Sequence, residues 1–387
     1  MKNTIIRNIG AIATGNLSHP LAEGDTICIK DDRISYIGNA SGAPNEEYAV
    51  EIDANGLTTC PGLIDAHAHP PMDNYLNRYK AYDWVENYAG AGITSLVSVG
   101  GIRFPGAADD KESAIMQALC ARSIWTSYHP VGSKIHADSV MLFDGMTGED
   151  FKYLKEKGIS VVGELGMSPV QDPEKVRSMT ELAQKNGLLV TAHCGAPSYR
   201  GCASYSAEQL RSIRPDVICH VNGAPTPLPE EEVKALVQSG EFWFDTVSNG
   251  SETLFAKIVQ WALEAGTIDK MMVGTNMPSM SGFSPMGLWI QMVVASHMTD
   301  LKAEEAIALA TGNVAKCYGL DHGTLEVGAV ADMLLCDSGS VAPGLLGTLK
   351  YGRVPSVGPA ITNGVLRLEK GKNTAPVKHK PQITVKA

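Results

Sequence analysis

The sequence predicts an α/β protein: a (β/α)8 TIM barrel carrying a small β-sandwich formed by both chain ends. Three observations predict it. Apolar strand-like runs alternate with helical patterns from Thr59 onward, both ends of the chain are strand-like and short-turned, and residues of metal-ligating type recur where the strand-like runs stop. The expected division is 1–58 with 320–387 for the sandwich and 59–319 for the barrel.

The elements follow in order. Segments 26–30 and 33–37 flank Asp31-Asp32, a hairpin signal, and 49–52 runs into the turn residues Asp53-Ala54-Asn55-Gly56. The first barrel strand ends at His67, and strand-like runs follow at 94–99, 134–137, 159–164, 188–193, 217–221, 242–247 and 271–274. Helical patterns at 173–185, 229–238 and 252–264 lie between them, and Thr147 opens another as an N-cap before the acidic first turn Glu149-Asp150. Eight such units over roughly 240 residues suit a TIM barrel. After a helical stretch at 303–311, strand character returns at 332–336 and 356–368, the latter containing the turn Thr362-Asn363-Gly364. The basic stretch from Lys370 to Lys386 reads as a solvated tail.

Composition narrows the function. The 387 residues carry 32 basic and 42 acidic side chains, a net charge of −10, so a nucleic-acid or anionic-membrane surface is not expected. No apolar run approaches the roughly 20 residues of a membrane span, and the first residues form no signal-peptide core. The eight cysteines are scattered without a CxxC pair, which fits reduced thiols and a cytoplasmic location. A small-molecule substrate is the expected partner.

The chemistry lies at the strand ends. His67 and His69 are two apart on a strand and so share a face, at the C-terminal mouth where such barrels keep their sites. Glu164, His193 and His220 end later runs, with His193 29 residues after Glu164 and His220 27 after His193, one barrel unit each. Asn276 ends the last run. These positions fall on strands 1, 4, 5, 6 and 8. Imidazoles and a carboxylate suit zinc, iron or manganese, and a carboxylate on a middle strand can bridge two ions about 3.5–4 Å apart, sharing a hydroxide nucleophile. Asp65 is the expected residue orienting a ligand from behind. A lone strand-end histidine is more often a core residue; the whole set is what points to a metal centre. Of the others, only His136 at the end of strand 3 attracts interest, and Cys194 and Cys219, beside ligands, are expected to pack.

The stretch from Pro61 to His69 (PGLIDAHAH), the single His193 and His220, and Gly323 to Asp337 (GTLEVGAVADMLLCD) resemble the amidohydrolase superfamily over nearly the whole chain. Within it, Val162-Gly163-Glu164, His220 to Thr226, Phe104-Pro105-Gly106 and Asn373 to Pro376 are similar to the enamidases of nicotinate fermentation. That family opens a cyclic enamide, 6-oxo-1,4,5,6-tetrahydronicotinate, and is tetrameric with zinc and iron. The resemblance implies two divalent ions, zinc or zinc plus iron, in a homo-oligomer. His67 and His69 would hold one ion, His193 and His220 the other, and Glu164 would bridge them. The reaction implied is hydrolysis of a cyclic amide or enamide C–N bond by a metal-bridging hydroxide; a hydrolase or deaminase of another small amide is the alternative. Arg103 is the candidate for a substrate carboxylate.

One departure stands out. The family's catalytic aspartate on strand 8 is Asn276 here, which can offer a metal its carbonyl oxygen but cannot cycle a proton. Three readings stay open: an inactivating substitution, natural or engineered; a base supplied elsewhere, with Asp245 nearest; or a changed or lost reaction that leaves a metal-binding relative. Met277 and Met280 suggest an apolar pocket mouth.

Overall fold

The computed structural model describes residues 3–70, 83–100, 108–196, 202–223, 227–278, 282–339 and 342–386. Arg103, Phe104 to Gly106, Ala224 to Thr226 and Met280 lie outside them.

The middle of the chain builds two parallel sheets. Leu63–Ala68, Ile93–Ser98 and Lys134–His136 form a three-stranded sheet, and Ser139–Val140, Val161–Leu165, Leu189–Ala192, Val217–Ile218, Trp243–Val247 and Met271–Gly274 a six-stranded one in chain order. The segments at 134–136 and 139–140 are successive pieces of the third expected strand, passing from one sheet to the other. The far edges meet again: Ala68 bridges Met277 in parallel, His67 O accepts from Asn276 N at 2.8 Å, and Met277 O accepts from His69 N at 3.0 Å. This mixed α/β arrangement is consistent with a (β/α)8 barrel. Leu63–Ala68 and Ile93–Ser98 are buried at every position, as strands covered on both faces must be.

Helices cover these strands for reasons visible in their residues. In Pro173–Lys185 the Asp172 side chain caps Lys175 N and proline occupies the first turn. Val176, Met179, Thr180 and Ala183 are buried on its inner face, the i, i+3, i+4, i+7 pattern. Thr147 and Asp150 form the expected capping box of Gly148–Glu156. Several helices went unrecognised in the sequence, the two longest of them being Lys111–Ser127 and Gly287–Met298. Lys111–Ser127 packs mostly through Ala114, Ala118 and Ala121 with Trp125, too small a face to read as a stripe. Gly287–Met298 is apolar nearly all round, with Ile290 and Met298 exposed, so it lacks the contrast that marks an amphipathic helix.

The chain ends build two further sheets. One has the order Gln382–Val385, Val50–Asp53, Thr4–Arg7, Thr26–Lys30, Arg33–Gly38; the other Val365–Leu368, Ser356–Thr362, Met333–Asp337, Thr58–Pro61, Ala11–Ala13, Leu21–Ala22. An apolar cluster including Ile6, Ile27, Ile29 and Ile52 of the first and Ile12, Met333, Leu335 and Ile361 of the second joins them. The 26–38 hairpin forms as expected, and Asn363 and Gly364 take φ of 50° and 70°, the positive values an Asn-Gly hairpin turn requires.

Two expectations are corrected. The basic end is not a solvated tail: Gln382–Val385 pairs antiparallel with Val50–Asp53, and Lys386 pairs with Glu51. Thr58–Pro61 pairs with Met333–Asp337 and Ala11–Ala13, so the change of sheet falls between Pro61 and Leu63, not at residue 59.

Candidate metal centre

Two glycines let the ligand strands come together. A Cβ on Gly163, next to Glu164, would lie 2.0 Å from Thr191 Oγ1, and one on Gly274 would lie 2.6 Å from the His67 Cβ. Neither site admits a side chain. Asn276 itself sits at φ 57°, a left-handed conformation that asparagine tolerates better than most residues.

The expected residues converge. His67, His69, Glu164, His193 and His220 are all buried. His67 Nε2 lies 3.3 Å from His69 Nε2, and His69 Nε2 lies 3.0 Å from Asn276 Oδ1. On the other side, His193 Nδ1 lies 3.1 Å from His220 Nε2, which is 2.7 Å from Glu164 Oε1. Glu164 belongs to both groups, its Oε2 4.0 Å from His67 Nε2 and its Oε1 3.7 Å from His193 Nδ1.

The hydrogen bonds around the rings fix which nitrogens face inward with a lone pair. His67 Nδ1 donates to Asp245 Oδ2 at 3.0 Å, His69 Nδ1 to Gly100 O at 3.1 Å, and His193 Nε2 to Ala196 O at 2.8 Å. With these outer N–H groups engaged, the inward nitrogens of His67, His69 and His193 offer lone pairs whenever their rings are neutral. His220 differs: its Nδ1 is buried without a partner. It is held instead through its main chain, at φ 42°, with its N–H on Asp245 Oδ1 at 2.6 Å.

Charge follows from the same contacts. Burial alone would raise the Glu164 carboxyl, but the imidazoles of His220, His193 and His67 hold it well below the usual range. Burial opposes charge on His67 as well, yet Asp245 and Glu164 raise it to about 9 without an ion present. Burial lifts Asp65 to about 6, against hydrogen bonds from Thr275 and His67.

Asp65 does not touch an imidazole. It accepts from His67 N at 3.1 Å, from Thr275 N at 2.8 Å and from Thr275 Oγ1 at 2.5 Å, bracing the first and last ligand strands by their backbones. Asp245 lies behind His67 with both oxygens engaged, one on the His67 ring and one on the His220 N–H. Cys219 does not point away from the site, since its sulfur lies near His67 and Asp245; burial raises its thiol well above the ordinary range, which leaves it a packing role. Met277 is 3% exposed and part of the main core, not a lining of the mouth. His136 is apart from the centre, stacked on His322 at 5.6 Å between ring centroids. Gly100 O, Ala196 O and Thr275 were missed in the sequence: a carbonyl acceptor leaves no residue-type signal.

Histidines and carboxylates gathered at parallel strand ends form a candidate metal centre, and the chain belongs to the amidohydrolase superfamily of metal-dependent hydrolases acting on C–N bonds. The model of the amidohydrolase family matches residues 245–378. The chain is 32% identical over 385 residues to an enamidase of Eubacterium barkeri, covering 99% of this chain and 100% of that protein. A crystal structure of enamidase superposes with a TM-score of 0.94 at 32% identity, over 99% of this chain and 100% of that one. A dihydroorotase of Pelotomaculum thermopropionicum is 24% identical, over 84% of this chain and 88% of its own.

Proposed function

We propose that this chain hydrolyses the C–N bond of a cyclic amide or enamide, with two divalent ions held by His67, His69 and Asn276 on one side, His193 and His220 on the other, and Glu164 between them. The observation that carries the reading is the ring of inward lone pairs. His67, His69 and His193 give their outer N–H groups away, so with neutral rings their inward lone pairs converge with Asn276 Oδ1 and the Glu164 carboxylate on one buried space. Cations would fit between such donors, and mixed imidazole and carboxylate sets suit zinc or iron.

Bound there, divalent ions supply a nucleophile from water at neutral pH and polarise the scissile carbonyl. The chain's own residues do the rest. Asp245 and Gly100 O fix the rings of His67 and His69, and Ala196 O that of His193. As water adds to the carbonyl and the C–N bond breaks, the leaving nitrogen must gain a proton. Asn276 has none to cycle. Glu164, Asp65 and Asp245, the carboxylates grouped here, are each engaged with imidazoles or backbone N–H groups. With those carboxylates of the described residues engaged, solvent is the expected proton donor, and turnover slower than in Asn276→Asp is expected.

The enamidase likeness supports a cyclic enamide substrate, with Arg103 a candidate for a substrate carboxylate. The same reading takes the barrel as the catalytic domain and the two end sheets as one β-sandwich, whose shared core supports it. It also includes a cytoplasmic location, supported by eight unpaired cysteines, and a homo-oligomer, supported by exposed Ile290, Met298 and Tyr351. No helix among the described residues is long and apolar enough to cross a membrane.

The test is elemental analysis together with hydrolysis of cyclic enamides and lactams by this chain and by Asn276→Asp. Two ions per chain, with a faster reaction in the aspartate form, are expected. A metal-free protein, or undiminished hydrolysis in His67→Ala, would sink the reading.

A further inference from the structure

The two halves of the centre are not built alike. Around His193 and His220, one oxygen of Glu164 sits 2.7 Å from His220 Nε2 and 3.7 Å from His193 Nδ1. Around His67 and His69, the nearest reach of that carboxylate is Oε2, 4.0 Å from His67 Nε2. The shared negative charge is drawn toward one side. Among the described residues, the other oxygen placed on that side is the Asn276 amide, 3.0 Å from His69 Nε2, which brings no charge at all.

We propose that Asn276 makes the His67/His69 position a weakly held, exchangeable ion position, while the His193/His220 position retains its ion. This rests on the metal centre proposed above. An ion at two neutral imidazoles and an amide oxygen has only the farther reach of the shared Glu164 to offset its loss of hydration, whereas one beside His193 and His220 has the nearer oxygen.

Loose geometry is not the cause of the weakness. His67 and His69 each have the outer ring nitrogen hydrogen-bonded, to Asp245 and to Gly100 O. Such outer partners raise a histidine's basicity and fix its direction. Asn276 is pinned by its own N–H to His67 O at 2.8 Å. The His220 ring, on the retained side, is the one without an outer partner. Ring support therefore favours the His67/His69 side, and charge opposes it. The proposal is that charge decides. Asparagine and aspartate share shape and tolerance of φ near 57°, so restoring the charge needs no backbone change. One consequence is that the second ion loads last, and turnover tracks the free concentration of divalent metal.

The experiment is a chelator titration of zinc-loaded protein, with zinc per chain read by elemental analysis after desalting, so that activity plays no part. The wild type is expected to lose one equivalent first and the second only at roughly tenfold or more higher chelator. Asn276→Asp should move the first loss upward by roughly ten- to a hundredfold, the range seen when groups supporting a metal are changed. His69→Ala should remove only the easily lost equivalent, which keeps the test open if the aspartate variant folds poorly. Simultaneous loss of both ions in the wild type, or an unshifted first loss in Asn276→Asp, would overturn the proposal while leaving a binuclear centre in place. Absence of any bound zinc would instead remove the metal centre itself, and the proposal with it.

Discussion

His67 Nδ1 lies 3.0 Å from Asp245 Oδ2, and both side chains are completely buried. The other oxygen of Asp245 takes the backbone N–H of His220, so one carboxylate orients a residue on each side of the centre.

Asp245→Ala should therefore weaken both ion positions together. A fall in zinc affinity of roughly ten- to a hundredfold is expected. The abandoned His220 N–H should cost about 1–3 kcal/mol of stability. Chelator competition and urea unfolding of the zinc-free protein measure the two effects; unchanged affinity would mean that His67 is oriented by packing alone.

Metal loading should release protons. Without an ion, Asp245 and Glu164 raise His67 to about 9 despite burial, so it is charged at pH 7.5. Binding requires it neutral. Calorimetric titration of zinc into apoprotein, repeated in buffers of different ionisation enthalpy, should show about one proton released by His67. Release should decline as the pH is taken above about 9. Proton uptake, or none, would mean that His67 is already neutral in the metal-free protein.

A second histidine pair should make the protein acid-sensitive. His136 and His322 stack with planes 17° apart, and Ser95 Oγ lies 2.8 Å from His322 Nε2. Burial first, then His322 and Lys134, push His136 down to about 3; burial and Lys134 push His322 to about 4. Below its ordinary pKa of about 6.5 each imidazole takes a proton more readily unfolded than folded. Stability is thus fully present above about 6.5 and falls as pH drops toward 4, by up to about 1.4 kcal/mol per pH unit for each group. Asp65, raised to about 6, works in the opposite sense, so the slope is best read as a difference. His322→Gln should flatten urea-unfolding free energy between pH 6.5 and 4.5 relative to the wild type. Parallel curves would show that the pair is not held neutral.

Asn222 clips the loop after His220 to the next strand. Its Nδ2 donates to Val247 O at 2.9 Å and its Oδ1 accepts from Val247 N at 2.8 Å. Asn222→Leu leaves the Val247 N–H without its partner in a buried place, while Val247 O keeps the Gly250 N–H at 3.0 Å, an expected loss of about 1–3 kcal/mol. Thermal melting measures it, and a change below about 0.5 kcal/mol would mean that water replaces the clip.

Much of this was legible in the sequence. Histidines two apart on a strand, and Glu164, His193 and His220 spaced by one repeat, gave the centre because barrel periodicity turns sequence spacing into angular position. The helix at 173–185 declared itself through Asp172, Pro173 and a regular apolar stripe. What stayed hidden depends on partners far away in the chain. The contact of Asp245 with the His67 ring joins strands 178 residues apart in the chain. The Gly287–Met298 helix shows no polar side to give it away. The final strand looks like a charged tail because its partner, Val50–Asp53, lies at the opposite end of the sequence.

The seam where Asn276 N–H meets His67 O has a bearing on how the molecule is made. His69 and Asn276 are 207 residues apart in the chain, and their strands are the first and last of the parallel set. Contacts of such long range form late, after the intervening units have ordered. The pocket for the ion between them is incomplete until that seam forms, so early capture of an added divalent ion would fall to Glu164, His193 and His220, which lie within two repeats of one another. The seam thus works as a clasp, and a probe reporting on that ion would time the moment at which the chain closes on itself.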